Sequence, residues 1–437
     1  MTTPPKRSLR LALPLLTTIA TTASATTFYI APTGNDSAPG TQSAPWHSLA
    51  RAQQAAKPGD TVYLRGGTYT FTAATSTCAT RRATVSGVVL DKSGQAGQPI
   101  RYWAYPGETP VLDFAAMKDD CRVKGIEVTG DWIHLQGLEV TGAPQQPGNR
   151  LNHESWGVWI NASHGIYERL NLHHNMGPGL FIKDGSDNLV LNSDSHHNYD
   201  PYTSNGAGQS ADGFGAHVSA GHPGNVFRGC RAWANTDDGF DLINAYSPVT
   251  IESSWAWDHG YLPGTRTPLP AGNGNGIKAG GYGGKYVANG VKHVVRFSVA
   301  FGNKVSGFYA NHHPLALEFT NNTAFANGSD FNMLGVDPDG GPVYLGTLRN
   351  NLSPSPSTLK VVGADSANNS WDLAVPVTDA EFESVSKSGW DAPRKPDGSL
   401  PDLPNFRPRA GSALVDKGVD VGLPFKGKAP DLGAFER

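Results

Sequence analysis

Apolar and polar residues alternate along six short segments of the chain, each closing at or near an asparagine. They are YERLNLHHN (167–175), NLVLNSDSHHN (188–198), NVFRGCRAWAN (225–235), VTIESSWAWDH (249–259), HVVRFSVAFGN (293–303) and EFTNNTAFAN (318–327). The closing residues are Asn175, Asn198, Asn235, Asn303 and Asn327, with Asp258 standing in the fourth segment. Successive spacings are 23, 37, 23, 45 and 24 residues. The short spacing reads as one coil of a solenoid, and the long ones as a coil plus an insertion.

A second apolar stretch follows each turn: GLFIK (179–183), GFGAH (213–217), GFDLI (239–243), GIKAG (276–280) and GFYAN (307–311). Alternation over four or five residues is a strand signal. Strands that recur once per coil stack in parallel, because no single coil buries its own apolar face. A propeller blade of about 40 residues suits the short spacing poorly. The recurrent asparagine predicts a side-chain amide ladder at one turn. The fold expected is all-β, a right-handed parallel β-helix, its hand following the crossover rule. WHSLARAQQAA (46–56) predicts an amphipathic helix that caps the N-terminal end, and GDTVYLRGGTY (59–69) opens the strands. Beyond residue 330 the repeat fades, and 392–408 is Pro-rich. One domain over 26–437 is expected: a cap at about 26–70, coils at about 100–350 and a covering segment at about 351–437.

Aligning the second stretches on their glycines puts Leu180, Phe214, Phe240, Ile277 and Phe308 in one inward column. Side chains alternate along a strand, so Phe181, Gly215, Asp241, Lys278 and Tyr309 form the outward column. Asp241 and Lys278 then stand in adjacent coils, about 4.8 Å apart by strand spacing. The column before the glycines holds Asp212, Asp238 and Asn275, with Asp237 beside it. Clustered carboxylates raise one another's pKa, and a hard divalent cation relieves that repulsion. Calcium takes six to eight oxygens in irregular geometry, so Asp212, Asp237, Asp238 and Asp241 are the candidate Ca²⁺ ligands. The plainer reading, separate Asp-Gly turns, does not account for their stacking. His173-His174 and His196-His197 read as polar ladder residues rather than a metal site. Lys278 follows the Gly-rich tract AGNGNGIKAGGYGG (271–284), which leaves room for an extended ligand. Nearby positive charge and partial burial are expected to lower its pKa, and it is the candidate catalytic base. Lys183, His217, Lys304, Tyr309 and Asn311 are candidate groove residues.

Charge is nearly balanced, with 35 basic and 38 acidic residues, which argues against a nucleic-acid partner. Lys6, Arg7 and Arg10, the apolar run 11–20 and Ala23-Ser24-Ala25 have the grammar of a secretory signal over 1–25. Export, no membrane association after removal of the signal, and a monomer are therefore expected. Of the three cysteines, Cys78 and Cys121 lie in polar segments before the repeats and are the better pair, although an odd count leaves pairing open. Cys230, in a strand pattern, is expected to be a buried free thiol.

At these residues the chain resembles polysaccharide lyase family 9, the secreted bacterial pectate lyases. TFYIAPTGNDSAPGTQSAPWHSLARAQQAAKPGDTVYLRGGTY (27–69) is similar to that family's cap. SADGFGAH (210–217), NTDDGFDLI (235–243) and GNGIKAGG (274–281) are similar to its calcium and catalytic segments. The ending GSALVDKGVDVG (411–422) with APDLGAFE (429–436) is shared more widely. The resemblance implies four calcium ligands at Asp212, Asp237, Asp238 and Asp241, and the base at Lys278. It implies Ca²⁺-dependent β-elimination on polygalacturonate or a related acidic polysaccharide such as rhamnogalacturonan. A glycoside hydrolase, needing an acid–base carboxyl pair, and a non-catalytic binding β-helix are the competing readings.

Overall fold

A computed structural model describes residues 1–2, 25–72, 83–146 and 154–437. The signal-like residues 3–24 and Cys78 lie outside the described residues, so the export signal and the expected cysteine pair are not described. Cys121 is in a disulfide, and Cys230 is a buried free thiol.

Each coil contributes three short strands, one to each of three long sheets. In one coil these are Ile166–Glu168, Asn171–His173 and Leu180–Asp184, and Leu189–Leu191 starts the next coil beside Ile166–Glu168. The three sheets hold 12, 9 and 10 strands among the described residues, every ladder within them parallel. Here they are called the first, second and third sheets, in the order one coil visits them. The chain is thus the parallel β-helix that the repeat predicts. One antiparallel pair, Leu334–Val336 with Pro342–Tyr344, forms a separate hairpin.

The inward column falls where the alternation placed it. Leu180 pairs with Phe214, Phe214 with Phe240, Phe240 with Ile277 and Ile277 with Phe308. All five side chains are fully buried. Phe214 and Phe240 stack at 5.1 Å, so the core is an aromatic pile as well as an apolar one. The N-terminal end of the core is closed by the helix Leu49–Ala55, with Leu49, Ala52 and Gln53 buried. It is shorter than the predicted 46–56 because Ser48 caps it, its hydroxyl accepting from the Arg51 N–H at 3.1 Å.

Polar ladders run through the turns. Asn198 Oδ1 accepts from both the backbone and the side chain of Asn175, at 3.0 and 3.1 Å. Asn235 does the same for Asn198, at 3.1 and 2.9 Å. In the fourth coil the rung is His259 and not Asp258, which corrects the sequence reading. His259 Nδ1 accepts from the Asn235 N–H at 3.3 Å, and the His259 N–H donates to Asn303 Oδ1 at 3.2 Å. Asp258 sits one residue earlier in the left-handed turn position (φ 59°), where it pairs with Arg266 at 2.6 Å.

After residue 367 the chain leaves the stack and packs outside the second sheet. Phe382, Trp390, Phe406, Leu414 and Leu432 join Trp255, Trp257, Phe301 and Phe325 in a second apolar cluster. Arg394 and Arg231 both clasp Asp194, at 2.5 and 2.6 Å, which ties that segment to the sheet.

Replacing Asn198 by Ala should strip the acceptor from two buried donors of Asn175 and both of its own donors from Asn235 Oδ1. Unsatisfied buried groups cost about 1–3 kcal/mol each. The unfolding midpoint in guanidinium should therefore fall clearly, with the same β-rich circular dichroism before the transition. An unchanged midpoint would mean that the ladder does not support the stack.

Candidate active site

The outward column of the third sheet carries the chemistry. Gly215 pairs with Asp241, Asp241 with Lys278 and Lys278 with Tyr309. One residue before the glycine of each coil stand Asp212, Asp238 and Asn275. The Asp238 N–H donates to Asp212 Oδ1 at 3.0 Å, and the Asn275 N–H and Nδ2 both donate to Asp238 Oδ1 at 2.8 Å. The acids therefore extend a polar ladder, one rung per coil. The glycines beside them are sterically required: a Cβ at Gly213 would lie 2.6 Å from the Gly239 carbonyl, and one at Gly239 2.5 Å from the Gly276 carbonyl. Asp-Gly here is thus a stacking device rather than a turn.

The result is a concentrated buried charge. One carboxylate oxygen each from Asp212, Asp238 and Asp241 lies within 4.8 Å of the others. Asp237 is outside that trio, its Oδ1 accepting from the Asn273 N–H at 2.7 Å, yet its charge still acts on Asp212. All four are buried, with at most 5% of their surface exposed, and Lys278 shows 6%. Lys278 Nζ is 3.0 Å from Asp241 Oδ2 and 3.1 Å from Asp238 Oδ2.

Burial, reinforced by the neighbouring carboxylates, pushes Asp212 and Asp237 well above the usual carboxyl range. Burial raises Asp238 too, against the pull of Lys278. Asp241 goes the other way: burial works to raise it, but Lys278, His217 and the Ile243 N–H together hold it below the ordinary value. For Lys278, burial favours the neutral amine, and the charges of Asp238, Asp241, Asp237 and Asp212 outweigh it, so the ammonium is held well above its usual range. This is opposite to the lowering expected from the sequence, which presumed positive charge beside the lysine.

The residues fit a hard divalent cation. Asp238 Oδ2 is buried and receives no hydrogen bond of good geometry, although Lys278 Nζ stands near it. The donor set is all carboxylate oxygen, which suits calcium better than a softer metal.

The other candidate residues separate. His217 borders the site, its Nε2 3.8 Å from Asp241 Oδ2. Tyr309 flanks Lys278 and meets His312 Nδ1 at 3.2 Å. Lys304 instead pins the insertion before Asn275, donating to the Leu269 and Gly272 carbonyls. Asn311 donates to the Gly280 carbonyl at 2.6 Å, and Lys183 stands further along the face near Asp184. The sequence reading missed Asp200, a buried carboxyl in the first insertion. It accepts from Thr203 Oγ1 and the Ser210 N–H and anchors the loop that delivers Asp212; burial raises its pKa to about 6. Nothing in its flanking pattern marks it.

Residues 28–351 match the model of the Pel9A-like, right-handed β-helix region. The chain belongs to this family. It is 38% identical over 415 residues to pectate lyase L of Dickeya dadantii, covering 94% of this chain and 90% of that one. The crystal structure of pectate lyase Pel9A superposes with a TM-score of 0.78 at 35% identity, covering 95% and 97% of the two chains. A rhamnogalacturonan lyase superposes with 0.79 at 34% identity, covering 88% and 97%. The chain is accordingly a polysaccharide lyase, and the family resemblance read from its motifs holds. The Pel9A-like family also supplies the hand of the solenoid, right-handed, as the crossover rule requires.

A divalent cation entering this lyase must displace protons that Asp212 and Asp237 retain because their pKa values are raised. Its stabilising effect should therefore grow as pH rises above the ordinary carboxyl range of about 4. Melting curves of chelated and calcium-loaded protein across pH check this. A calcium-induced rise in Tm that is constant or shrinks with pH would contradict it.

Proposed function

We propose that the protein is a secreted pectate lyase that cleaves polygalacturonate by calcium-assisted β-elimination, giving 4,5-unsaturated oligogalacturonides. The observation that supports this most is the buried carboxylate trio on the outer side of the third sheet, with Lys278 against two of its members. In this reading Asp212, Asp237, Asp238 and Asp241 hold Ca²⁺. When bound, the ion supplies positive charge against the substrate carboxylate, where negative charge builds as the proton leaves. Asp238 and Asp241 then have another partner for their charge, and Lys278 loses the attraction that keeps it protonated. As a neutral amine, Lys278 takes the C-5 proton of the uronate. The C–H electron pair forms the C-4–C-5 double bond, and the C-4–oxygen bond breaks to release the leaving chain. Secretion belongs to the same reading and rests on the N-terminal signal grammar. No helix among the described residues is long and apolar enough to cross a membrane.

The same elimination on rhamnogalacturonan is the second reading. It is favoured by a superposition on the rhamnogalacturonan lyase that is as good as that on the pectate lyase. Product absorbance in the ultraviolet, measured on both polymers with calcium and with a chelator, tests both. A hydrolase would give no absorbing product.

Lys278→Ala should lower turnover by about 10²-fold or more while the fold and calcium binding persist. Lys278→Arg should be similarly impaired, since arginine holds its proton far more tightly. The wild-type rate should climb toward alkaline pH, because the base must be neutral. A Lys278→Ala enzyme that keeps a tenth or more of its turnover would remove Lys278 from the role of base. Asp241→Ala should lower calcium affinity and activity together, by calorimetry and product absorbance.

A further inference from the structure

Along the same outer face, toward the N-terminal coils, lies a cavity of about 350 Å³. Trp159 and Phe181 line it, paired in register with rings stacked at 5.1 Å. Lys124 Nζ lies 4.5 Å over Trp159 and Phe181 is only 7% exposed, so the half-buried Trp159 meets the cavity by its edge. Arg122, Lys183, His217 and Tyr246 stand around it. His217 is a wall shared with the carboxylate group: its ring packs on Phe181 at 4.6 Å, and its Nε2 is 3.8 Å from Asp241 Oδ2. That Nε2 is buried without a hydrogen-bond partner. Between Phe181 and Asp241 the outward column holds only Gly215, where a Cβ would come within 2.7 Å of Phe181 Cδ2. The Phe181 ring leans over that glycine, so cavity and carboxylates adjoin on one face through Phe181 and His217. From Phe181 to Lys278 is three ladder steps, about 14 Å at strand spacing.

Lys183 makes the cavity suited to an anion. Its side chain is 41% exposed, and its ion pair with Asp184 is long at 3.4 Å. Asp184 is already engaged, its other oxygen accepting from the Ser219 N–H at 2.7 Å. The ammonium has three donors, so it can serve another carboxylate. Arg122, 5.4 Å over the Trp156 ring, is paired with Glu154 at 3.7 Å at the far end, so Lys183 is the cation on which the site rests. A polymer lying across Lys278 along the stacked coils reaches this cavity a few sugars away.

We propose that this cavity is a distal subsite for a uronate of the same chain that is cut at Lys278. Lys183 meets its carboxylate, and the edge of Trp159, backed by Phe181, meets the apolar side of its ring. This rests on the lyase reading above, and it makes long chains better substrates than short ones. Lys183→Met is the test, since Lys183 is a surface residue whose loss spares the core. The measurement is kcat/KM on galacturonate trimer and octamer. The octamer-to-trimer ratio should drop about tenfold, the size of a lost charge-assisted hydrogen bond, with the change in KM rather than kcat. An unchanged ratio, or an equal loss on both lengths, overturns the subsite. If the wild-type enzyme makes no unsaturated product from either length, the pectate lyase reading fails instead. Affinity electrophoresis in polygalacturonate then decides the subsite: weaker retardation of Lys183→Met supports it, and equal retardation overturns it.

Discussion

Parallel stacking in register is the constraint on which everything else depends. A residue in one coil meets the same position of the next coil at one strand spacing, about 4.8 Å. Whatever is placed in a column is therefore repeated or answered in that column. Inside, the answer is apolar rings and aliphatic chains. At the turns it is a polar group that both accepts and donates. Asparagine fills that slot well because its amide offers both. His259 fills it because burial pushes its pKa down to about 3, so the imidazole is neutral and Nδ1 can accept from Asn235. An aspartate there would carry a buried charge, which is why Asp258 is turned to the outside toward Arg266.

The same rule, applied on the outside of the third sheet, produces a site that is unfavourable by itself. Like charges placed opposite one another destabilise a sheet, and burial amplifies the repulsion. Asp212, Asp238 and Asp241 nevertheless converge there. Lys278 answers part of the charge, through Asp241 and Asp238, and leaves Asp212 beside its acidic neighbours. Removing one partner of such a buried set is more damaging than the set is stabilising. Protonation of Asp212, whose pKa burial and its acidic neighbours raise, relieves part of that repulsion, and a cation would relieve the rest.

Much of this was legible because two local signals are rigid. Period-two alternation fixes which side chains face in, and the repeated glycine fixes the register, so Asp241 and Lys278 could be placed side by side from sequence. The glycine is informative for a steric reason, the approach of successive carbonyls to within a few ångströms of where a Cβ would sit. Other features had no local signature. The rung at His259 was misread because its neighbour Asp258 sits closer to the asparagine spacing. Lys304 looked available for the groove, yet its ammonium is taken by two carbonyls of an insertion whose path no periodicity describes. The direction of the Lys278 pKa depended on how near four carboxylates approach in three dimensions. Sequence gave the neighbours but not the balance between burial and charge.

The three outer faces divide the remaining work, and their chemistry explains which one is left for a polymer. The first sheet carries an ion-pair ladder in its middle coils: Glu252 joins Arg228 on one side and Arg296 on the other, the latter at 2.6 Å. The second sheet presents an aromatic ladder, Trp233 on Trp257 at 5.0 Å and Trp257 on Phe301 at 5.8 Å. Such a surface left bare would be a large apolar patch, and the segment carrying Trp390 and Phe406 lies against it. On the third sheet the ion pairs of Lys278 with Asp238 and Asp241 lie in and beside the outward column itself. That column runs from the aromatic pair through Gly215 to the carboxylates and Lys278. Ring and charge along one line match a chain of sugars, each with an apolar side and, in a uronate, an acid. A solenoid delivers that line at no extra cost in fold, because its columns are straight by construction.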